Sequence, residues 1–431
     1  MQKAYNLIEN TNDNLFITGK AGSGKTTFLR FITSHIGKRF MICAPTGVAA
    51  VNCHGVTLHH QFRIPFGFIA PDVDPASKLG SDAIDAFTNL FSNIDTIIID
   101  EISMVRADVL DYVDRSLRFF RNEDTAFGGV QMIFMGDLFQ IPPVVKKEEQ
   151  EAMDVFYEGP YFFYAGAFEE KGFHVIEFSH VFRQKEQEFI DLLNRIRVYD
   201  FTENDRLILH KLKDADMVND FDNGAVHICT HRDKAAEINS AMLGVPTKEY
   251  KAQFNGEYSE NSCPCDILLQ LRIGARVMSL INDKDKKYYN GSLGTVTALR
   301  DKEVDVKMDS GLKITFTENT WVEYYYKFSD GKVQQFEKGS CTQIPLALAW
   351  ATTIHKSQGK QWDHVAIHIG HVFAPGMIYV ALSRCTSLEG LVTDAYITKR
   401  HIIVNTQLKN FYNAVLKTNM YFDRKTIKLI V

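Results

Sequence analysis

The run Leu15-Phe16-Ile17-Thr18 leads directly into Gly19-Lys20-Ala21-Gly22-Ser23-Gly24-Lys25-Thr26. This is a complete GxxxxGK[ST] pattern set between a short apolar strand and a helix with apolar residues Phe28, Leu29 and Ile32 on one face, the context in which the pattern has meaning. Its glycines let consecutive backbone N–H groups curl around phosphate oxygens without Cβ clashes. Lys25 reaches the β- and γ-phosphates, and Thr26 offers a hydroxyl to Mg²⁺. The helix that starts there points its positive end at the anion. Binding and hydrolysis of a nucleoside triphosphate is therefore the first expectation.

Outward from this loop, residues 15–143 alternate strand and helix. Leu15–Thr18, Arg39–Ala44, Thr96–Asp100 and Val130–Gly136 are short apolar runs of the kind buried in a parallel sheet, so the fold class is α/β. Val105, Val109, Val113, Leu117 and Phe120 recur at helical spacing and predict an amphipathic helix over 104–120. Residues 63–72, with Pro65, Phe66, Phe68 and Pro71, read as an excursion from the sheet. The acidic run Lys146–Glu151 and the aromatics behind it read as the passage out of the first domain. A second α/β pattern follows in strand Ala225–Thr230, helix Ala235–Leu243, strand Arg276–Ile281 and strand Val365–Ile369. Between these, 292–343 turns almost purely β: Leu293–Leu299, Glu303–Met308, Leu312–Thr317 and Trp321–Phe328 are separated by Asp-Ser-Gly and Ser-Asp-Gly hairpin signals. A small β-barrel inserted in the second α/β domain is the expectation.

At 431 residues the chain is too long for one core. It is 45% apolar and 23% charged, as a globular protein is, and its net charge of −5 argues against binding a polyanion over its whole surface. A local basic groove remains compatible with that charge. The N-terminus lacks the apolar stretch of a signal peptide, and the best apolar run, Ile344 to Ile354, is too short and too polar for a membrane span. Seven cysteines, an odd number, suit a reducing compartment. Cys263-Pro264-Cys265 is the one close pair; without a second pair at zinc-like spacing it reads as a surface loop, with a metal site the minor alternative.

Asp100-Glu101, at the end of Thr96-Ile97-Ile98-Ile99, supplies the second half of a phosphate site: Asp100 would hold Mg²⁺ and Glu101 would polarise the attacking water. Gln140, in Gly136-Asp137-Leu138-Phe139-Gln140, could sit near the γ-phosphate or belong to a capped turn. Arg183 and Arg384 are candidates to stabilise the charge that spreads over the γ-oxygens, although an arginine taken alone reads as a surface residue.

Taken together these motifs resemble a superfamily 1 DNA helicase, specifically the petite integration frequency (Pif) family of 5′-to-3′ helicases. The likeness rests on GKAGSGKTT (19–27), APTGVAA (44–50), GVTLHHQF (55–62), DEISMV (100–105), GDLFQIPP (136–143), FRQ (182–184), NGSLGTV (290–296), ATTIHKSQG (351–359) and YVALSRC (379–385). Arg106 stands where that family carries acidic residues. The resemblance implies two RecA-like parallel-sheet lobes with ATP between them: 1–175 as the first, with a small wedge insertion at 63–76, and 176–291 with 344–405 as the second. It also implies an SH3-like β insertion at 292–343 and a C-terminal segment at 406–431.

Gly22, Ser23, Gly24, Lys25, Thr26 and Thr27 would then hold ATP, Gln2 would read adenine, and Thr26 and Asp100 would hold Mg²⁺. Lys25, Glu101, Gln140, Arg183 and Arg384 would be the catalytic set, with Gly359 lining the nucleotide from the second lobe. Single-stranded DNA would lie on Thr46, Gly47, Thr57, His59 and His60 of the first lobe and Thr353, His355, Lys356 and Ser357 of the second. Phe66 or Phe68 would help to split base pairs at a single-strand/duplex junction. Forks, G-quadruplexes or RNA–DNA hybrids are substrates of the type implied, with a monomer as the free state. The compartment would be the cytoplasm of a bacterium or the nucleus or mitochondrion of a eukaryote. An RNA helicase or RecD-like recombination helicase is the neighbouring reading. A conformational ATPase indifferent to single strands and a binding module with a dead site are the readings from other classes. Intact Lys25, Asp100, Glu101 and Arg384 speak against the last.

Overall fold

The computed structural model describes residues 1–184, 186–214, 216, 224–260, 263–285, 287–329, 331–417 and 421–422. The chain forms two compact units, the first made of Met1–Phe182, Glu323–Lys338 and the chain from Asn405 onward, the second of Arg183–Val322 and Gly339–Val404.

The first unit is built on strands β1 (Asn14–Gly19), β2 (Phe40–Ala44), β3 (Val56–Thr57), β4 (Thr96–Ile99), β5 (Gln131–Gly136) and β6 (Phe173–Phe178). They run parallel in the order β6-β1-β5-β4-β2-β3, and the short strand Tyr421–Phe422 is added antiparallel at β6. Both faces are covered, which is why β1, β4 and β5 read as unbroken apolar runs instead of alternating ones. On one face lie α1 (Gln2–Asn10), α2 (Lys25–His35) and α3 (Gly47–Cys53), with Phe28, Leu29 and Ile32 of α2 buried against β1, β4 and β5. Each such side chain contributes about 1.5–3 kcal/mol by leaving water. Elsewhere in this unit a cluster of phenylalanines packs ring on ring, Phe168 on Phe173 at 4.2 Å and Phe134 on Phe173 at 4.9 Å.

Two further helices of this unit matter below: α4 (Leu58–Gln61), one turn long, and, after α5 (Ser81–Ser92), α6 (Ala107–Arg121). The stretch whose composition marks an exit from the first domain lies within the first unit, and the strand that closes it, Phe173–Phe178, pairs in parallel with β1 along its whole length.

The second unit has its own parallel sheet of β7 (Val226–Cys229), β18 (Ala351–Thr353), β19 (Val365–His368) and β20 (Leu391–Thr393), ordered β18-β7-β19-β20. The remaining strands are β8 (Lys248–Lys251), β9 (Gln253–Gly256), β10 (Leu268–Leu271), β11 (Arg276–Ser279), β12 (Leu293–Leu299), β13 (Glu303–Met308), β14 (Lys313–Thr317), β15 (Asn319–Ser329), β16 (Lys332–Gln343) and β17 (Leu346–Leu348).

Strand Arg276–Ser279, expected in the second α/β sheet, is instead antiparallel to β12 and β17. The parallel sheet instead includes Ala351–Thr353 beside β7. A four-residue strand carries no mark of strand direction, so the sequence could not assign its sheet.

The strands of 292–343 divide between a five-stranded antiparallel sheet, β14-β13-β12-β11-β17, and a three-stranded one, β15-β16-β9. No pairing among the described residues closes them into one barrel. The reason lies in β15 and β16, whose outer halves (Glu323–Lys338) belong to the first unit. There the Gln61 side chain accepts from the Tyr326 N–H at 2.7 Å and donates to its carbonyl at 3.3 Å, satisfying both backbone groups of one residue. The Tyr326 hydroxyl in turn accepts from the Ile42 N–H at 3.2 Å. Among the described residues no helix is long and apolar enough to cross a membrane.

Candidate nucleotide site and nucleic-acid interface

Parallel strands bring the loops that follow them to one edge. Because β1, β5 and β4 are neighbours, with Thr18 opposite Gly136 and Ile99 opposite Phe134, the loops 19–26, 136–140 and 100–101 emerge side by side. This is where ligands bind in open α/β sheets.

In the first of these loops Gly22 (φ 76°) and Gly24 (φ 88°) adopt the left-handed conformation, Gly24 as the N-cap of α2. The Lys25 ammonium donates to the carbonyls of Gly19 at 2.7 Å and Lys20 at 3.1 Å, which keeps it folded over the loop. Ser23 Oγ is buried with no hydrogen-bond partner among the described residues. An unpartnered buried hydroxyl and a lysine folded back over left-handed glycines fit a polyphosphate. Thr26 and Thr27 follow on the exposed first turn of α2.

Asp100 donates its N–H to the Cys43 carbonyl at 2.9 Å and accepts from the Glu101 N–H at 3.0 Å. Burial pushes its carboxyl up, while the Glu101 amide and the Lys25 charge pull it down. A half-buried carboxylate beside the phosphate-loop lysine fits a divalent cation shared with Thr26. Glu101 is held at φ 51°, left-handed backbone that a side chain rarely adopts, and the turn is seated on Gly136, where a Cβ would lie 3.2 Å from the Ile102 nitrogen. Gln140 is buried and donates to Asp137 at 3.3 Å, so it is both a turn cap and adjacent to the other two strand ends.

Gln2 opens α1, is exposed, and donates to Asn6 at 2.9 Å. The Met1 methyl lies against Gly24, which brings the start of α1 to the phosphate loop. Phe182, the first residue of the FRQ segment and one with no role assigned from the sequence, is a further neighbour. Its N–H donates to the Gly22 carbonyl at 2.9 Å and its ring, 63% exposed, lies over Gly24.

In the second unit Arg183 Nη1 and Gln184 Nε2 both donate to the Ser383 carbonyl at 3.2 Å, so the FRQ and LSRC segments are tied together. Burial lowers the affinity of the Arg183 guanidinium for its proton. Arg384 is only 1% exposed and donates to the Val380, Ser357 and Lys360 carbonyls and to Ser383 Oγ. Gly359 has φ 81° and open space where a Cβ would stand.

Of the residues assigned to nucleic acid, Thr46, Thr57 and Thr353 each cap a short helix, accepting from the N–H groups of Ala49, His60 and Lys356 at 3.2–3.3 Å. Gly47 is the first residue of α3. His59 stacks on the ring of Phe66 at 6.0 Å, and His60 meets Tyr325 edge-on. Burial, with Lys338 and Arg63 nearby, pushes the His60 imidazole down to about 4, so it is neutral at physiological pH. His355 and Lys356 are exposed, whereas Ser357 is buried with its hydroxyl donating to the Ile354 carbonyl, so that hydroxyl does not face a strand.

The excursion is pinned to the first unit. Arg106 binds Asp108, Glu149 and the Gly67 carbonyl, and Asp108 accepts from the Ile69 N–H at 3.0 Å. Phe66 is left 96% exposed, while Phe68 stacks on Phe156 at 5.8 Å.

A phosphate loop flanked by an Asp-Glu strand end, with paired arginine motifs in a second unit that has its own parallel sheet, defines a P-loop NTPase built on two α/β units. A family model for PIF1-like helicases matches residues 2–207, and one for the UvrD-like helicase C-terminal domain matches 348–392. The chain belongs to the PIF1-like helicase family and is thereby an ATP-hydrolysing enzyme.

It is 48% identical to a Bacteroides sp Pif1, and the structure of that protein with ADP-AlF4 superposes with a TM-score of 0.92 over 98% of this chain and 97% of the other. The same Bacteroides protein bound to ssDNA gives a TM-score of 0.71 over 98% and 97%. The ATP-dependent DNA helicase Pif1 of Bdellovibrio bacteriovorus is 29% identical, over 93% of this chain and 88% of the relative. The human ATP-dependent DNA helicase PIF1 is 33% identical over 88% of this chain, which spans 58% of the human protein.

Proposed function

We propose that this chain is an ATP-driven DNA helicase that moves 5′ to 3′ along single-stranded DNA and opens duplex at forked junctions. The observation that carries the reading is the alignment of three adjacent strand ends bearing Lys25, Asp100-Glu101 and Gln140. In this reading Gly22 to Thr27 cradle the triphosphate, Lys25 leaves the Gly19 and Lys20 carbonyls for the β- and γ-oxygens, and Glu101 orients the attacking water. Mg²⁺, held by Thr26 and Asp100, would neutralise phosphate charge. Gln2 takes the adenine edge.

Arg183, Arg384 and Gly359, carried by the second unit, meet the γ-phosphate during turnover. Arg384 must then exchange carbonyl partners for phosphate oxygens. A guanidinium that changes partners with nucleotide state converts hydrolysis into movement. The single strand lies on Thr46, Gly47, Thr57, His59, His60, Thr353, His355 and Lys356, with backbone contacts from hydroxyls and cations and stacking by rings. The name of the Bacteroides complex, Pif1 bound to ssDNA, supports the choice of polymer. G-quadruplexes and RNA–DNA hybrids are further substrates of the same kind, and the free protein is a monomer in this reading.

The test is steady-state ATPase with and without poly-dT at low salt, followed by strand displacement on DNA carrying a 5′ or a 3′ tail. Strong stimulation and displacement of the 5′-tailed substrate alone are expected. ATPase indifferent to poly-dT would favour a conformational ATPase, and faster displacement on RNA tails would reassign the polymer. Lys25→Ala should lower turnover by about 10²-fold or more.

A further inference from the structure

Three of the seven cysteines, far apart in sequence, converge in the second unit. Cys263 Sγ lies 3.1 Å from Cys265 Sγ and 3.0 Å from Cys341 Sγ, and all three sulfurs fall within 4.8 Å of one another. These separations are below the ~3.5–4.0 Å at which even two smaller carbon atoms rest in contact. Cys341 is fixed by the sheet, paired across from Phe254 of β9, and Cys263-Pro264-Cys265 lies between β9 and β10. The segment after it is fastened by Gln343, two residues beyond Cys341, whose Nε2 donates to the carbonyls of Tyr250 at 2.9 Å, Asp266 at 3.3 Å and Ile267 at 3.4 Å. A strand ladder and a buried amide thus hold the three thiols together. Cys265 and Cys341 are buried, and Cys263 is half-buried, which leaves an approach from solvent.

We propose that Cys263, Cys265 and Cys341 form a binding site for a thiophilic d¹⁰ metal ion, Zn²⁺ in the cell, with solvent as the fourth ligand. Thiolates are the ligands such ions prefer. A Zn–S bond of about 2.3 Å sets tetrahedral sulfurs roughly 3.8 Å apart, so an ion at the centre would spread the three sulfurs by less than about 1 Å and stay inside their present envelope. The number of thiols favours a metal over a redox bridge, because a disulfide uses two and strands the third in a buried pocket. Metal binding expels the three thiol protons to solvent and changes no oxidation state. Its effect is structural: it clips Cys263 and Cys265 to Cys341 of β16.

Sequence spacing hid this site. Cys263-x-Cys265 is not a zinc pattern, and the third ligand enters from a strand paired 78 positions later.

The test uses the full chain, purified under reducing conditions without a polyhistidine tag and dialysed against Zn²⁺ or Co²⁺. About one zinc per chain should resist gel filtration, and the cobalt form should show thiolate-to-metal charge-transfer bands. Zinc should protect all three cysteines from alkylation until a chelator is added. Cys263→Ser should weaken metal binding by roughly 10–100-fold or more, whereas Cys53→Ala should not. If Cys263→Ser fails to fold, the cobalt spectrum and the alkylation map of the unaltered chain decide alone. Less than about a tenth of an equivalent of zinc, no charge-transfer band, or a disulfide mapped among the three in the reduced preparation would overturn the proposal.

Discussion

Arg384 is claimed twice, by the packing of its own unit and by the chemistry of phosphoryl transfer. Its guanidinium serves three backbone carbonyls and a serine hydroxyl while almost no part of it reaches solvent. Truncation therefore leaves buried acceptors unpaired, at about 1–3 kcal/mol for an unsatisfied group. The proposed role adds a second loss, since an arginine that meets the transferring phosphoryl group is worth about 10³-fold or more in turnover. Arg384→Ala is expected to lower the urea unfolding free energy and, assayed at a temperature where circular dichroism shows it folded, to lose ATPase by that factor. A folded variant with ATPase intact would reduce Arg384 to a packing residue. Arg384→Lys should stay inactive, because a point charge cannot reproduce the planar fork. The glycines, Lys25 and Asp100-Glu101 were legible because phosphate and Mg²⁺ chemistry fixes residue types at short spacing. Gln61 and Cys341 were not, because their partners lie hundreds or tens of positions away and only folding pairs them.

Among elements, the excursion 63–72 shows how a loop can present one ring and pack another. Arg106, with Asp108 and Glu149, fastens its backbone at Gly67 and Ile69, so Phe66 projects from a fixed base while Phe68 is spent on Phe156. If Phe66 meets the junction, losing its stacking should remove about 1–3 kcal/mol per base. Phe66→Ala should then slow strand displacement by roughly fivefold or more with poly-dT-stimulated ATPase unchanged. Phe68→Ala should act on stability instead, through its lost contact with Phe156. Arg106→Ala, which frees the base of the loop, should slow displacement as Phe66→Ala does. Equal displacement by Phe66→Ala and wild type at equal ATPase would show that the ring does not separate base pairs.

Elements themselves were read from the sequence with uneven success, for a physical reason. Leu293–Leu299 and Glu303–Met308 form as anticipated, because period-two burial and hairpin glycines are local signals. Arg276–Ser279 joined a different sheet, and β15–β16 outran any small barrel, because sheet membership is decided by distant partners.

At the scale of the whole molecule, one half-buried and one buried histidine couple stability to acid. His60 is pushed down to about 4 and His227, facing His368 at 2.9 Å, to about 3, burial being the main cause for each. Both stay neutral in the folded chain while the unfolded chain takes up protons below about pH 6.5. Stability is thus fully present above that pH and drains away as pH falls toward 4. The unfolding midpoint should fall across this window, and His60→Gln should flatten the decline. The charge balance sets the other whole-molecule expectation. With a net charge of −5, the chain has to engage a polyanion through a few local cations. Arg63 and Lys338 stand near His60, and Lys356 is exposed beside Thr353. If three or four phosphates are neutralised, log K for a labelled dT oligonucleotide should fall against log salt with a slope of about −2 to −3, at ~0.7 per contact. Lys356→Ala should weaken binding to all sequences alike and make the slope shallower by about 0.7, read by anisotropy between roughly 50 and 300 mM NaCl without nucleotide. A slope near zero would assign the grip to stacking alone. One steeper than about −5 would require a cationic surface beyond these two motif clusters, and the placement of the strand on them would be wrong.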